Sequence, residues 1–269
     1  MKKLATALVS AAAIMTMSTT AFAAENPAEV FDRVMEKNNT IQSAEIQSGV
    51  HSVILAKDVI PDGQMKVDMA MHAEMDMQDT TDLKYLAQVA SSILGQDSYS
   101  QVFYTDGYYY VDANGVKLKY PMPLEQIISS VQTGVNTSNM ESSYMKGISL
   151  NEVNGKRVLA YEANPKKLNK NVKEALGTVM NTLGTDVNLD MNIQEMKGAY
   201  VLDDNDYIIY MTNYIVYNME VHDQTMTCIT LMETEVQNPG EPVVVTLPST
   251  DGYEDLIGLY DGVIESEVE

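Results

Sequence analysis

Acid-base, nucleophilic and metal chemistry have few possible carriers in this chain, which holds three histidines, His51, His72 and His222, and one cysteine, Cys228. The densest polar arrangement is His72, Glu74 and Asp76, at every second position, with Asp68 further along the same run. Alternate side chains of a strand point to one side, so an imidazole and two carboxylates would stand in a row able to approach a divalent cation. Such a row spreads its outer members well apart, and a polar strand face in an acidic chain is ordinarily solvated. A chelate and a wetted face therefore both stay open. Asp203-Asp204-Asn205-Asp206 lacks the glycine and the following glutamate of a calcium loop and reads as a polar hairpin turn. No G-x-S-x-G elbow, H-E-x-x-H, Walker loop or C-x-x-C occurs. Cys228 sits in Met226-Thr227-Cys228-Ile229-Thr230, where a buried, inert thiol is expected, and alone it closes no internal disulfide. The expectation is a non-enzymatic chain with no catalytic residues, no metal ligands and no cofactor.

The elements that would position any site alternate with period two far more often than with period 3.6. Pro27 followed by Val30, Phe31, Val34 and Met35 predicts an amphipathic helix ending near Asn38-Asn39. From Ser43 the pattern becomes a strand, closed by Pro61-Asp62-Gly63. In the clearest strand, Met65, Val67, Met69, Met71, Ala73, Met75 and Met77 alternate with Lys66, Asp68, Ala70, His72, Glu74, Asp76 and Gln78. Leu83, Leu86, Ala90, Ile93 and Leu94 can share one helical face, so a helix is expected over 83–94. Asp106-Gly107 and Asn114-Gly115 mark two successive hairpins between Tyr99 and Tyr120, and Asn154-Gly155 marks another. Helices are expected from Pro123 through Val131 and from Pro165 to Leu183. Strands are expected over 187–193, 198–202, 207–221 and 226–237, then Val243 to Leu247, with a short helix near Tyr253 to Tyr260. The total, roughly nine to eleven strands with three or four helices, places the chain in the α+β class with an antiparallel sheet.

Composition narrows the partners. Lys2 and Lys3, the apolar run Leu4 to Met17 and the small-x-small tripeptide Ala21-Phe22-Ala23 predict a cleaved signal peptide over 1–23, followed by a single domain over 24–269. The expected location is secreted or periplasmic. No cysteine lies near the cleavage point to carry a lipid anchor, so no stable membrane anchor is expected. The formal charge of -21 repels phosphates and anionic headgroups, which argues against nucleic acid and against a polybasic membrane patch. Nineteen methionines against three phenylalanines and no tryptophan give flexible thioethers to an apolar surface, which can mean an adaptable ligand wall or simply a methionine-rich core.

The N-terminal amphipathic helix, a first strand opening at Ile41-Gln42-Ser43-Ala44, and the run from Val102 through the Tyr104-Thr105-Asp106-Gly107-Tyr108-Tyr109-Tyr110 turn into Lys117-Leu118-Lys119-Tyr120 resemble the LolA/LppX-type lipoprotein-carrier superfamily. The resemblance implies a large twisted sheet, a half-open barrel, covered on its concave face by a few helices, with a lipid or acylated protein held between sheet and helices. The chain departs from that pattern in lacking tryptophan and in having only Arg33 and Arg157 as arginines. The carried-over function is therefore binding of an apolar ligand in general. Under this reading the ligand wall comprises Val67, Met69, Met71 and Met75 on the second strand, Leu189, Met191 and Ile193, and Met211 and Ile215. The alternative is a module with a filled core that binds other envelope proteins through its sheet.

Overall fold

The computed structural model describes residues 25–56, 60, 62–79, 83–123, 140–170, 190–221 and 224–256. The expected signal segment, the expected helix from Pro123 and most of the helix from Pro165 lie outside the described residues; within the last, residues 165–170 are helical.

One helix, α1 (Pro27–Asn38), opens the described chain. Asn26 caps it: its side chain accepts from the Ala28 N–H at 3.1 Å, which satisfies one of the amide groups that the first turn leaves unpaired, and donates to the Glu29 carboxylate at 3.1 Å. Twelve strands follow: β1 (Ser43–Leu55), β2 (Gln64–Asp76), β3 (Lys84–Ile93), β4 (Gln96–Thr105), β5 (Tyr108–Ala113), β6 (Val116–Pro121), β7 (Met145–Val153), β8 (Lys156–Ala163), β9 (Asp190–Leu202), β10 (Ile208–Val221), β11 (Gln224–Gln237) and β12 (Glu254–Asp255). They form one sheet in the order β12-β6-β5-β4-β3-β2-β1-β11-β10-β9-β8-β7. β3 to β6 and β7 to β10 are antiparallel to their chain neighbours or partners, as are β10 and β11, whereas β12 runs parallel to β6. The mainly-sheet α+β class expected from the sequence is the class observed.

Local expectations are corrected at several places. Residues 84–93 form β3, not a helix, paired from Tyr85↔Tyr104 to Ile93↔Gln96 with β4. The reversal is Leu94-Gly95, both in the left-handed region (φ 53° and 76°), the geometry a two-residue hairpin needs. Val243 to Leu247 is extended but belongs to no ladder; of the short helix expected near Tyr253 to Tyr260, Glu254–Asp255 is strand, Leu256 is helical, and residues 257–260 lie outside the described residues. The two strands expected over 187–193 and 198–202 are, from Asp190 onward, one strand, β9, whose register slips opposite Val216/Tyr217.

Contacts divide the chain into two compact units interleaved in sequence. The first comprises Met1–Asn38, Gly49–Asp68 and Asn139–Glu235. Its core packs Val30, Phe31, Val34 and Met35 of α1 onto Leu159, Tyr161, Tyr200, Leu202 and Ile208. Two anchors hold α1 there. Asn38 accepts from the Ile208 N–H at 2.9 Å, and Arg33 and Arg157 both reach Asp206, at 2.8 and 2.5 Å. Burial alone would raise the Asp206 pKa, but the hydrogen bonds and charges of the two arginines outweigh it and hold the carboxyl below its usual range. The only arginines in the sequence are thus spent on one structural clasp between α1, β8 and the β9–β10 turn. Across β8–β10, Tyr161, Gly198 and Asn213 stand side by side in register. The glycine leaves room for the buried Tyr161 hydroxyl to cross it and donate to Asn213.

The second unit comprises Asn39–Ser48, Met69–Ser138 and Val236–Glu269. On one side of its strands, Leu86, Phe103 and Tyr110 pair in register and are covered by a strap, residues 242–253, through Val243, Val245, Leu247 and Tyr253. Phe103 stacks on Tyr110 with centroids 4.6 Å apart, and Tyr253 meets both rings edge-on at 5.6 and 5.1 Å.

A candidate apolar binding face

Strand registers decide which side chains share the side of the second unit away from the strap. Tyr85 faces Tyr104, Tyr104 faces Tyr109, and Tyr109 faces Tyr120, so one row of phenol rings crosses four strands. Tyr109 and Tyr120 pack with centroids 5.5 Å apart, and the Tyr104 hydroxyl donates to the Met122 carbonyl at 3.2 Å. Burial raises the Tyr85, Tyr109 and Tyr120 pKa values, with Tyr85 and Tyr120 adding to the effect on Tyr109. These phenols stay neutral at any physiological pH. The next row in register is Ala87, Val102, Val111 and Leu118, and the one after it is Val89, Ser100, Ala113 and Val116. Burial declines along this direction: Tyr104 and Ala87 are buried, Val102, Val111 and Leu118 half-buried, and Val116 is 60 % exposed.

The methionines of β2 look to the same side. Glu74 accepts from the Thr246 N–H of the strap at 3.4 Å, and a cleft of about 340 Å³ is lined by Asp76, Gln78, Asp79, Lys84 and Val243 to Val245. Glu74 and Asp76 therefore face the strap, and alternation turns Met69, Met71 and Met75 to the tyrosine side. Of these expected wall residues, Met75 is buried, Met71 half-buried and Met69 40 % exposed.

In the first unit, four other expected wall residues, Met191, Ile193, Met211 and Ile215, share the α1 side of β9 and β10. Met191 lies opposite Met219, which in turn lies opposite Met226. Ile193 joins Ala163 and Leu168 in a buried cluster with Ile215 packed against it, and Met211 packs against the α1 core. Ile193 is buried core, whereas Met191 is half-exposed. Val67 falls on the same side of the sheet: Asp68 binds His51 at 2.7 Å on one side, and Ser52 binds Thr230, which lies opposite Ile215, on the other. Leu189 lies outside the described residues. The tyrosine and valine rows were missed from sequence because β3 read as a helix. The available signal was period-two alternation of Tyr85, Ala87, Val89 and Ile93.

Of the polar candidates, His222 lies outside the described residues. His72 contacts Glu45 at 3.2 Å and Glu74 at 3.8 Å on the strap side, and among the described residues no cluster of histidine, cysteine and carboxylates is arranged to hold a metal ion. Cys228 is buried; burial raises its thiol pKa against a lowering hydrogen bond from Tyr217.

Residues 26–249 match a family described as a family of unknown function, DUF6612. The chain belongs to this family. No curated protein matches this DUF6612 chain. Among solved structures, LprF from Mycobacterium bovis is similar at 7 % identity and a TM-score of 0.35, covering 83 % of this chain and 97 % of its own. The ywiB protein from Bacillus subtilis aligns at 10 % identity and a TM-score of 0.21, covering 76 % of this chain and 99 % of its own. A beta-barrel-like DUF1849 protein from Brucella abortus aligns at 10 % identity and a TM-score of 0.25, covering 74 % and 100 %. No helix among the described residues is long and apolar enough to cross a membrane.

Proposed function

We propose that this chain is an extracytoplasmic, non-enzymatic binding protein that holds an apolar ligand, a lipid or the acyl chain of an acylated protein, against the tyrosine side of β2 to β6. The observation that carries the reading is the pair of registered rows, Tyr85-Tyr104-Tyr109-Tyr120 and Ala87-Val102-Val111-Leu118, with Met69, Met71 and Met75 on the same side. A half-buried apolar surface of this kind gains from being covered: each methylene it removes from water contributes about 0.8 kcal/mol. A chain of about ten methylenes could then bind with no specific polar contact. Methionine and tyrosine suit such a ligand, since thioethers adapt their shape and phenols offer broad apolar area with few rotatable bonds. The resemblance of the N-terminal helix and the tyrosine-rich hairpin to LolA/LppX carriers points the same way, and the signal-like segment over 1–23 supports export.

The test is native mass spectrometry of the protein purified from its own host, with lipid analysis of an organic extract, beside a Leu118→Asp variant. A stoichiometric acyl-bearing species, lost in the variant, is the expected result. An apo mass with no uptake of a fluorescent acyl probe would refute the reading and favour an envelope protein interaction module.

A further inference from the structure

From the charge pattern of these strands we infer that the ligand is an uncharged lipid bearing a free hydroxyl at one end, of the diacylglycerol type, and not a fatty acid anion or a phospholipid. The inference rests on the apolar-ligand reading above. In a chain of formal charge -21, the tyrosine side of β2 to β6 carries no charge at all. On β3 it presents the odd positions from Tyr85 to Ile93 and on β4 the even positions from Gln96 to Tyr104. On β5 it presents Tyr109, Val111 and Ala113, and on β6 Val116, Leu118 and Tyr120. The opposite side of the same strands holds Lys84, Asp97, Asp112, Lys117 and Lys119, and β2 adds His72, Glu74 and Asp76 there. Lys117 and Lys119 lie over Tyr253 and Tyr108, both strap-side rings, which keeps both cations off the tyrosine side.

An anionic headgroup drawn onto this side would lose hydration and find no cation among the described residues of these strands, a cost that hydrophobic burial must offset. A hydroxyl headgroup meets no such penalty. The end of the face away from the tyrosine row offers hydroxyls: Ser91 and Ser98 lie with Oγ atoms 2.6 Å apart, and Ser100 follows two positions on. Ile93 and Val116, 43 % and 60 % exposed, mark that same end as the wet one. The lipid therefore lies with its hydroxyl at the serine end and its chains running toward the valine and tyrosine rows.

The experiment compares dioleoylglycerol with dioleoyl phosphatidate, which share their chains and differ by one phosphate, by native mass spectrometry and by displacement of a fluorescent acyl probe. The protein is the full mature chain, tested with Val116→Lys and with Ala90→Lys, which adds the same charge at an exposed position on the strap side. Diacylglycerol is expected to bind at least ten-fold more tightly. Val116→Lys is expected to narrow or reverse that preference and Ala90→Lys to leave it unchanged. Equal or tighter binding of phosphatidate would overturn the inference while leaving the apolar-ligand reading intact. Equal effects of the two lysines would overturn it too, by assigning the preference to net charge. Binding of neither lipid would overturn both.

Discussion

Gly198→Ala is a small change with a large expected cost. A β-carbon at this position would lie 2.5 Å from Asn213 Oδ1, 2.5 Å from the Thr212 carbonyl oxygen and 2.8 Å from the Tyr161 hydroxyl. All three distances are inside van der Waals contact, and the Thr212 oxygen is backbone, so no side-chain rotation relieves it. Either β9 lifts from β10 or the Tyr161 to Asn213 hydrogen bond breaks. Overpacking of this kind costs about 1–3 kcal/mol. Tyr161 and Asn213 are 2 % and 5 % exposed, so leaving them unpaired adds about 1–3 kcal/mol. The sum, about 2–6 kcal/mol, is a sizeable fraction of an ordinary domain's stability of about 5–15 kcal/mol. Urea unfolding followed by far-ultraviolet circular dichroism reads it as a lowered midpoint. In a Tyr161→Phe background the hydroxyl is already gone and one of the three clashes with it, so the same glycine substitution should cost less. A Gly198→Ala variant within about 0.5 kcal/mol of the parent, or strict additivity with Tyr161→Phe, would refute the crossing arrangement.

Asp206→Asn should destabilise the first unit by about 1–3 kcal/mol, since it removes a largely shielded carboxylate from two guanidinium groups. The folded pKa of Asp206 lies below its unfolded value, so its contribution is fully present above the unfolded carboxylate pKa near ~3.9 and is lost as pH falls through the folded value. Urea midpoints taken from pH 7 down to pH 2 should therefore fall less steeply for the variant, and parallel curves would contradict the clasp. Leu94→Gly should stabilise the protein by about 0.5–1 kcal/mol, because Leu94 is 69 % exposed and held at φ 53°. If residues 84–94 were helical the same change would destabilise by about 1 kcal/mol, so the sign of the shift in melting temperature decides between the two.

Much of the fold was legible where a local rule acts alone. Pro27, the spacing of Val30, Phe31, Val34 and Met35, and the Asn38-Asn39 pair gave α1 its limits, and Asp-Gly and Asn-Gly pairs gave the turns at 106–107, 114–115 and 154–155. β3 was misread because Leu86, buried under the strap, interrupts the alternation in which Tyr85, Ala87 and Val89 face away, and it falls in helical spacing with Leu83 and Ala90. Periods of two and 3.6 then compete, and the turn that would have favoured the strand is Leu-Gly instead of Asn-Gly. Val243, Val245 and Leu247 do alternate with the 89 % exposed Val244, so the chain is extended as expected. Side-chain periodicity reports extension but not a hydrogen-bonded neighbour, and this segment crosses a sheet instead of joining it. The site suffered the same limit. Met69, Met71 and Met75 were visible along one strand, whereas the tyrosine row exists only across four strands whose registers no single segment encodes.

The parallel pairing of β12 with β6 touches only Leu118 and Lys119, yet it bears on how the protein survives at high concentration. An unpaired edge strand is a template for another chain, and β6, with Val116, Leu118 and Tyr120 along one side, would make an adhesive one. The strap ends by laying Glu254 and Asp255 along that edge, so an approaching strand meets carboxylates first. At the other end of the strand order, β7 carries a register slip between Met145 and Gly147 and the charged Lys146 within it. Each end of the strand order thus carries a feature that disfavours pairing with another chain, carboxylates along β6 and a slipped register with a lysine in β7.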